Sequence, residues 1–432
     1  MILLGAGAST PFRIPGMIGF TDKFIAENQN KCSLVLEIRE ALKHSKDLIG
    51  TSIQFDLEAL LSVLNDLSGL KKEKPISIPT ASLLFEENLT LQAAREKYGL
   101  EAESALGILN LFIFNTCMQP IRTCRKERSF KSLDRFYGPL MTVLNSAGLR
   151  DIQGHIQRVF STNWDLCFKT WAENAGISII DGTVLDEQSQ PVLGVEVFDR
   201  STPGFFYVPL HGSLDMIKTI RSKGTGIYED ILKIPEITRF EANPENLKDI
   251  FIIYPLEAIG YEESVKSPYL DMLYYFKKSL IQDGRAFIVG YSLRDPTIGS
   301  ILEEVLAERI RKGGLKPMQG SLDSRVEQAG SYDGLKIVAL DRNPDELEKT
   351  LKKQGYTNLL QTVVAIKTEF PEVAEENFAE KYGRELHNLI VKLVYIRHMT
   401  PDHADRLADV LWSRYQISLP EAFPWKKTST KP

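Results

Sequence analysis

The first nine residues constrain the fold of this chain most strongly. A short apolar run, Ile2 to Leu4, leads directly into Gly5-Ala6-Gly7-Ala8-Ser9, and a helix can begin near Ser9. Glycine allows backbone conformations closed to other residues, and the missing side chains let a phosphate approach the amides. A helix start would add unpaired N–H groups and the positive end of a helix dipole. The pattern predicts a strand and turn that hold a dinucleotide pyrophosphate through Gly5, Ala6, Gly7 and Ser9, although a plain tight turn, with Thr10 replacing a third glycine, also fits.

Composition limits the function classes. The 432 residues are 43% hydrophobic and 25% charged, which suits a folded chain with a large core. A net charge of -5 gives no general attraction to nucleic acid or anionic membranes. The most apolar stretch, Ala105 to Met118, is interrupted by Asn110 and Asn115, so we expect a buried core helix and no membrane span. No signal peptide is recognisable, which predicts a cytoplasmic protein.

Hydrophobic periodicity divides the chain into helical and mixed regions. Helical spacing covers Met17–Glu27, Leu34–Leu42, Phe55–Gly69, Glu101–Met118 and Leu133–Leu144. Short β-rich runs then follow at Arg158–Ser161, Ile177–Ile180, Phe206–Leu210, Ile250–Tyr254, Ala286–Tyr291 and Lys336–Leu340. Helical stretches separate several of them, at Leu166–Asn174, Tyr269–Gln282, Pro296–Arg311 and Pro344–Gln354.

Alternating strands and helices with continuous apolar strands predict an α/β fold. We expect a Rossmann-like parallel sheet with helices on both faces, a large helical insertion and C-terminal helices. Because the first strand must join this sheet, residues 1–370 are predicted to be one α/β domain. Within it, 17–148 form the helical insertion, and 371–432 form a C-terminal helical extension.

Polar motifs follow four further strands. They are Thr162-Asn163-Trp164-Asp165, Leu210-His211-Gly212-Ser213, Gly290-Tyr291-Ser292-Leu293-Arg294-Asp295 and Asp341-Arg342-Asn343. In an open α/β sheet the ligand binds outside the carboxyl ends of the strands, so all these motifs should converge there. Each motif also has an ordinary structural role available, because Asn, Asp and Ser are common helix caps.

Taken in order, these motifs resemble the sirtuin superfamily, and specifically the sirtuin-like NAD-hydrolysing domains of prokaryotic antiphage defence. The resemblance rests on Gly-Ala-Gly-Ala-Ser with Ile14-Pro15-Gly16, then Thr-Asn-x-Asp, Leu-His-Gly-Ser, Gly-Tyr-Ser-x-Arg-Asp and Asp-x-Asn. It covers the motif-bearing parts from residue 2 to about residue 345, whereas 17–148 and the C-terminal stretch are not matched in detail.

The chain departs from protein-deacetylating sirtuins in its cysteines. Those enzymes carry a four-cysteine zinc module after the catalytic histidine, whereas here no cysteine follows Cys167 and none forms a Cys-x-x-Cys pair. The segment that pairs with an acetyl-lysine peptide is not recognisable; in its place Ile250–Glu257, with Tyr254-Pro255, resembles the defence-type domains. We therefore expect no zinc and no other metal, and NAD cleavage with water as the acceptor.

The resemblance implies a role for each motif. Gly5, Gly7 and Ser9 would hold the pyrophosphate of NAD, while Gly290, Ser292, Asp295, Asp341 and Asn343 would surround the adenosine. Asn163, with Thr162 beside it, would position the water or the nicotinamide ribose, and Asp165 would shape the nicotinamide side. His211 would act as the general base, for which an ordinary pKa near 6.5 is suitable. The implied product pair is nicotinamide and ADP-ribose.

Other functions stay open. The same cradle could serve an NAD or ADP-ribose sensor or scaffold subunit that hydrolyses nothing, or an ADP-ribosyltransferase. The basic run from Arg122 to Arg135 could bind nucleic acid, but such a run is more often a solvated helix face, so direct nucleic-acid binding is not favoured. The apolar faces of the inserted helices favour a homo-oligomer. The resemblance also implies a separate partner, such as a HerA-type ATPase or an Argonaute-like protein.

Overall fold

The computed structural model describes residues 1–28, 33–49, 53–68, 76–149, 156–199, 204–223, 226–234, 250–252, 267–283, 285–313, 315–325, 328, 336–420 and 422–425. Within these ranges, seven strands form one parallel sheet: β1 (Ile2–Leu4), β2 (Ile156–Ser161), β3 (Ile179–Ile180), β6 (Gly204–Pro209), β10 (Arg285–Val289), β11 (Lys336–Asp341) and β12 (Val364–Lys367). The strand order is β12-β11-β10-β1-β2-β6-β3. The predicted α/β fold class is confirmed.

Alternate residues of the short first strand point to opposite faces of this sheet, as the two-residue period of a strand requires. Ile2 and Leu4 pack into a core with the helices of the first 150 residues and the C-terminal helices. Met1 and Leu3 pack into a second core on the opposite face. Because both faces are covered by helices, most residues of the strands are apolar and show little hydrophobic alternation.

The helices form two layers around the sheet. The first layer contains α1 (Met17–Asn28), α2 (Ser33–Lys43), α3 (Ser45–Ile49), α4 (Leu57–Ser68), α5 (Ile78–Glu86), α6 (Leu91–Lys126), α7 (Lys131–Leu144), α8 (Cys167–Asn174), α13 (Phe378–Tyr395) and α14 (Pro401–Tyr415). The second layer contains α9 (Tyr269–Gln282), α10 (Pro296–Arg311), α11 (Pro344–Lys353) and α12 (Thr357–Thr362). Helices α1 to α7 lie in the chain between β1 and β2, which pair as parallel neighbours.

A second, antiparallel sheet was not predicted. It contains β4 (Thr183–Leu185), β5 (Pro191–Leu193), β7 (Gly212–Lys223), β8 (Gly226–Lys233) and β9 (Ile250–Ile252), in the order β4-β5-β8-β7-β9. The prediction that Ile250–Tyr254 belongs to the parallel sheet is wrong, because Ile250–Ile252 pair antiparallel with β7. The remaining Ile253 and Tyr254, and Pro255 after them, lie outside the described residues. An apolar β-rich run indicates a strand without indicating which sheet it joins.

Helix α6 is much longer than the predicted Glu101–Met118. It has 36 residues, and by length and composition alone it could cross a membrane, a test that a buried core helix also passes. One side of this helix is buried against the protein interior, at residues such as Leu109, Ile113 and Phe114. Its packing neighbours include α4, with which it makes an extensive contact.

Candidate functional site

Backbone hydrogen bonds join the five strand-end turns into one continuous edge. They run from Gly290 N to Leu340 O at 2.9 Å, Gly5 N to Val289 O at 2.9 Å, Thr162 N to Leu4 O at 2.9 Å and Leu210 N to Ser161 O at 2.7 Å. Each bond extends the ladder between two adjacent parallel strands by one step beyond the paired residues. The motifs after β11, β10, β1, β2 and β6 therefore stand side by side in that order.

The glycine loop after β1 is packed against the neighbouring loop after β10. A Cβ atom at Gly5 would lie 2.5 Å from Tyr291 Cβ, and one at Gly7 would lie 2.7 Å from Gly290 Cα. Gly7 N donates a hydrogen bond to Gly290 O at 2.8 Å. The need for glycine at these two positions follows from the close approach of two backbones.

The expected helix start near Ser9 is wrong. Two 3₁₀ turns, Ala6–Ala8 and Thr10–Phe12, follow β1, and the first α-helix begins only at Met17. The amide of Ser9 donates to Ala6 O at 3.0 Å, and the amide of Ala8 donates to Gly5 O at 2.8 Å. These amides are therefore already paired within the protein, because a 3₁₀ turn bonds residues three apart.

Ser9 links two of the predicted catalytic residues. Asn163 Nδ2 donates to Ser9 Oγ at 2.8 Å and to Gly5 O at 2.9 Å. Ser9 Oγ in turn donates to Asp165 Oδ2 at 2.6 Å. The other carboxylate oxygen, Asp165 Oδ1, accepts from Cys167 N at 2.9 Å at the start of α8. Burial raises the pKa of Asp165, and these hydrogen bonds oppose that rise.

Thr162 serves the turn that carries Asn163. Its amide and its hydroxyl both donate to Leu4 O, the hydroxyl at 3.2 Å. The side chain is buried and fixes the chain as it leaves β2.

His211 lies at the junction between the two sheets. It follows β6 directly, and Gly212, with φ of +75°, turns the chain into β7. The side chain is only 2% exposed, and Nε2 lies 2.7 Å from Asp295 Oδ2. Asp295 Oδ1 also caps α10 by accepting from Thr297 N at 2.7 Å. With an ionised Asp295 and a neutral imidazole, Nε2 would carry the hydrogen and Nδ1 would hold the lone pair.

A buried group of two lysines and two aspartates anchors the strand that follows His211. Lys169 Nζ of α8 lies 2.6 Å from Asp181 Oδ2 and 2.7 Å from Asp215 Oδ2 of β7. Lys233 Nζ of β8 completes the group at 3.4 Å from Asp181 Oδ2. The attraction of the two lysines holds the pKa values of both aspartates low despite burial. The antiparallel sheet is thus tied to the parallel domain beside the His211 turn.

A cleft of about 660 Å³ opens along the β1, β10 and β11 end of the edge. Gly7, Gly290, Ser292 and Asp341 line it, and residues 368–372 form another wall. Burial raises the pKa of Asp341, whose Oδ1 accepts from Asn343 N at 2.7 Å.

The remaining predicted residue, Asn343, caps a helix. Its Oδ1 accepts from Glu346 N at 3.3 Å at the start of α11, and its side chain is exposed. The predicted residues thus separate into three sets. One set, Gly7, Gly290, Ser292 and Asp341, lines the cleft; the others are the Asn163–Ser9–Asp165 chain and the His211–Asp295 pair.

Sequence reasoning missed two carboxyl groups near Asp295. Asp56 and Glu58, at the start of α4, line a cavity of about 420 Å³ together with Arg294 and Pro296. Burial raises the pKa of Glu58 to about 8, helped by the negative charges of Asp56 and Asp295. The helical spacing of the apolar residues in Phe55–Gly69 indicated only an amphipathic helix, and it gave no sign of a partner so distant along the chain.

The comparisons with protein-family models and with curated proteins found no match. Across the described ranges, no group of three or more His, Cys, Asp or Glu side chains is arranged to hold a metal ion.

Proposed function

We propose that this chain is an NAD⁺ hydrolase that cleaves NAD to nicotinamide and ADP-ribose. The proposal is carried by one observation: the backbone-bonded edge that aligns the cleft, the Asn163–Ser9–Asp165 chain and the His211–Asp295 pair. The resemblance to sirtuin-like defence domains supports it, because the motifs that carry the resemblance are those at this edge.

The length of the edge suits an extended dinucleotide. Asp341 and His211 belong to turns four strand intervals apart, which corresponds to about 19 Å at about 4.8 Å per interval. Adenosine would occupy the cleft beside Ser292 and Asp341. The nicotinamide ribose would then lie toward Asn163 and His211, at the other end of the edge.

The chemistry requires a base, a positioned water and exclusion of other acceptors. His211 Nδ1 would take a proton from water as the water oxygen bonds to the anomeric carbon of the ribose. The carbon–nitrogen bond to nicotinamide breaks, and the bonding electron pair neutralises the pyridinium nitrogen. Asp295 would stabilise the resulting imidazolium ion.

Asn163 is suited to hold the ribose or the water. Its Nδ2 is fixed by two hydrogen bonds, and within the described residues no hydrogen bond reaches its Oδ1. That oxygen could therefore accept a hydrogen bond from a ribose hydroxyl or from the attacking water.

The biological setting is proposed from the resemblance alone. We propose an NAD-depleting effector in antiphage defence, acting in the cytoplasm as a homo-oligomer and with a separate partner protein. The basic run Arg122–Arg135, for which nucleic-acid binding is not favoured, makes contacts within the chain, since Arg122 Nη1 donates to Asn115 Oδ1 at 2.8 Å. Arg135 in turn stacks over the Phe378 ring at 4.8 Å.

Product analysis tests the proposal. The purified chain is incubated with NAD, and nicotinamide and ADP-ribose are measured by chromatography. We expect His211→Ala and Asn163→Ala each to lose turnover, by about 10²- to 10⁴-fold where the general base is removed. The matched control is His403→Ala, because His403 is an exposed histidine on α14.

Unchanged turnover in both site variants would refute the assignment of His211 and Asn163 as catalytic residues. Two other results would contradict hydrolysis itself. NAD that binds without being cleaved would indicate a sensor, and label from NAD transferred to a macromolecule would indicate an ADP-ribosyltransferase.

A further inference from the structure

The C-terminal part of the chain forms one wall of the cleft of about 660 Å³. Residues 368–372, which follow β12, line the cleft together with Lys381, Arg384 and Glu385 of α13. This part of the chain follows the last motif that carries the sirtuin resemblance, Asp341-Arg342-Asn343. The resemblance therefore assigns no role to this wall.

Backbone hydrogen bonds hold the wall at both of its ends. Thr368 N donates to Asp341 O at 2.9 Å, which places the start of the wall beside the end of β11. Val373 N donates to Pro11 O at 2.9 Å, in the turns that follow β1. The wall therefore joins the two turns between which the adenosine half of NAD is proposed to bind.

The basic groups of the cleft are already neutralised within the protein. Each of them forms an ion pair with a carboxylate, in the pairs Arg342–Glu369, Lys381–Glu375 and Arg384–Glu380. Both arginines are exposed at the rim of the cleft. They are therefore not placed as a buried binding site for a phosphate group.

Two carboxyl groups of the cleft differ from these pairs. Asp341 and Glu385 are half-buried, and neither forms an ion pair with another described residue. Asp341 Oδ1 accepts from Asn343 N at 2.7 Å, and Glu385 Oε2 accepts from Glu369 N at 3.1 Å. In each group the other carboxyl oxygen accepts no hydrogen bond from the described part of the chain. The inner part of the cleft is therefore acidic and has hydrogen-bond acceptors to offer.

Thr368 adds an independent sign that a polar ligand belongs in the cleft. Its side chain is only 3% exposed, and its hydroxyl group is buried with no hydrogen-bond partner in the structure. A buried hydroxyl group is costly to leave unpaired. Because Thr368 lines the cleft beside Asp341, a polar group of a bound ligand can complete its hydrogen bonding.

We propose that Asp341, Thr368 and Glu385 form an adenosine subsite that selects NAD over NADP. The inference rests on the proposed binding of NAD in this cleft. The free carboxylate oxygens can accept hydrogen bonds from the ribose hydroxyl groups of NAD, whereas a phosphate dianion has no proton to donate. The 2′-phosphate of NADP would also be repelled by both carboxylates in a site partly shielded from water.

Binding of the two possible products tests the subsite without catalysis. The full-length protein is titrated with ADP-ribose and with 2′-phospho-ADP-ribose by isothermal calorimetry. We expect ADP-ribose to bind more tightly by on the order of 10²-fold. Asp341→Asn removes the charge and keeps the oxygen that Asn343 N contacts, so it should reduce this ratio about 10-fold. The matched control is Asp345→Asn, an exposed aspartate of α11 outside the cleft lining, which should keep the ratio.

Two further variants separate charge from hydrogen bonding. Glu385→Gln retains an acceptor for Glu369 N and removes the second charge, so it should also reduce the ratio. Thr368→Val removes only the hydroxyl group and should weaken both ligands equally, by about 2- to 10-fold. Equal affinities of the wild type for the two ligands would overturn the proposal, as would an absence of ADP-ribose binding. An unchanged ratio in the folded Asp341→Asn and Glu385→Gln proteins would overturn it too.

The subsite and the hydrolase function can fail separately. A protein that binds ADP-ribose selectively but cleaves no NAD would refute hydrolysis and leave the subsite standing. A protein that cleaves NAD and NADP with equal kcat/KM, and binds both products equally, would refute only the subsite.

Discussion

Replacing Gly290 by alanine should damage the protein more than any other single methyl group added near the edge. Gly290 has φ of +62°, and its added Cβ would lie 2.5 Å from Gly7 Cα and 2.6 Å from Ala8 N. The left-handed backbone costs an alanine about 1–2 kcal/mol. Overlap with backbone atoms, which cannot rotate away as a side chain can, adds about 1–3 kcal/mol.

A matched control separates the two contributions. Gly313 has φ of +73°, but a Cβ there would meet nothing within 4 Å. Gly313→Ala should therefore lower the free energy of unfolding only by the cost of the left-handed backbone, about 1–2 kcal/mol. Urea unfolding followed by circular dichroism gives the free energy of unfolding of both variants and of the wild type.

The same pair of variants should differ in function. Displacement of the loop at Gly7 would carry Gly5 O and Ser9 Oγ with it, and these atoms hold the Asn163 amide. We expect Gly290→Ala to lower NAD turnover and Gly313→Ala to leave it unchanged. Equal losses of stability in the two variants would refute the argument that loop contact, rather than backbone conformation, requires glycine at Gly290.

Three further predictions concern buried polar groups. Ser9→Ala removes the 2.6 Å hydrogen bond to the buried Asp165, so the free energy of unfolding should fall by about 1–3 kcal/mol in urea; an unchanged midpoint would contradict this. Lys169→Met leaves the buried Asp181 and Asp215 with a single lysine, so the free energy of unfolding should fall by about 3–5 kcal/mol in the same assay. An unchanged free energy of unfolding would mean that the two ion pairs of Lys169 contribute little to stability. The pKa of Glu58 is raised from 4.5 to about 8, so the free energy of unfolding should decline as pH rises between these values, and Glu58→Gln should flatten that decline.

The sequence predicted the parallel sheet because its strands are apolar and end in polar turns. Once Ile2–Leu4 and Phe287–Val289 are assigned as parallel strands, Gly5 and Gly290 must meet at one edge of the sheet. The role of the glycines could not be read in the same way. A Gly-Ala-Gly turn suits both phosphate binding and close backbone packing, and the contact with Gly290 shows the packing role without testing phosphate binding.

The antiparallel sheet and Glu58 were beyond local sequence reasoning. Strands β7 and β8 contain Lys, Asp, Glu and Arg, so they lack the apolar run that predicts a buried strand. Two of those charges, Asp215 and Lys233, are nevertheless buried, because Lys169 and Asp181 arrive from elsewhere in the chain. Glu58 likewise gains its raised pKa from burial and from Asp295, a residue of a distant segment.

The helical region is predicted to be inseparable from the sheet. Ile2, Leu4, Phe287 and Val289 share one core with its helices, so removing 17–148 would expose that face to water. A linker of a dozen residues could still connect β1 to β2, since that length suffices for a parallel crossover. We expect such a shortened chain to aggregate and to bind a hydrophobic dye, as measured by size-exclusion chromatography and fluorescence. A shortened chain that stays monomeric and unfolds cooperatively would instead show that the sheet needs no cover from this region.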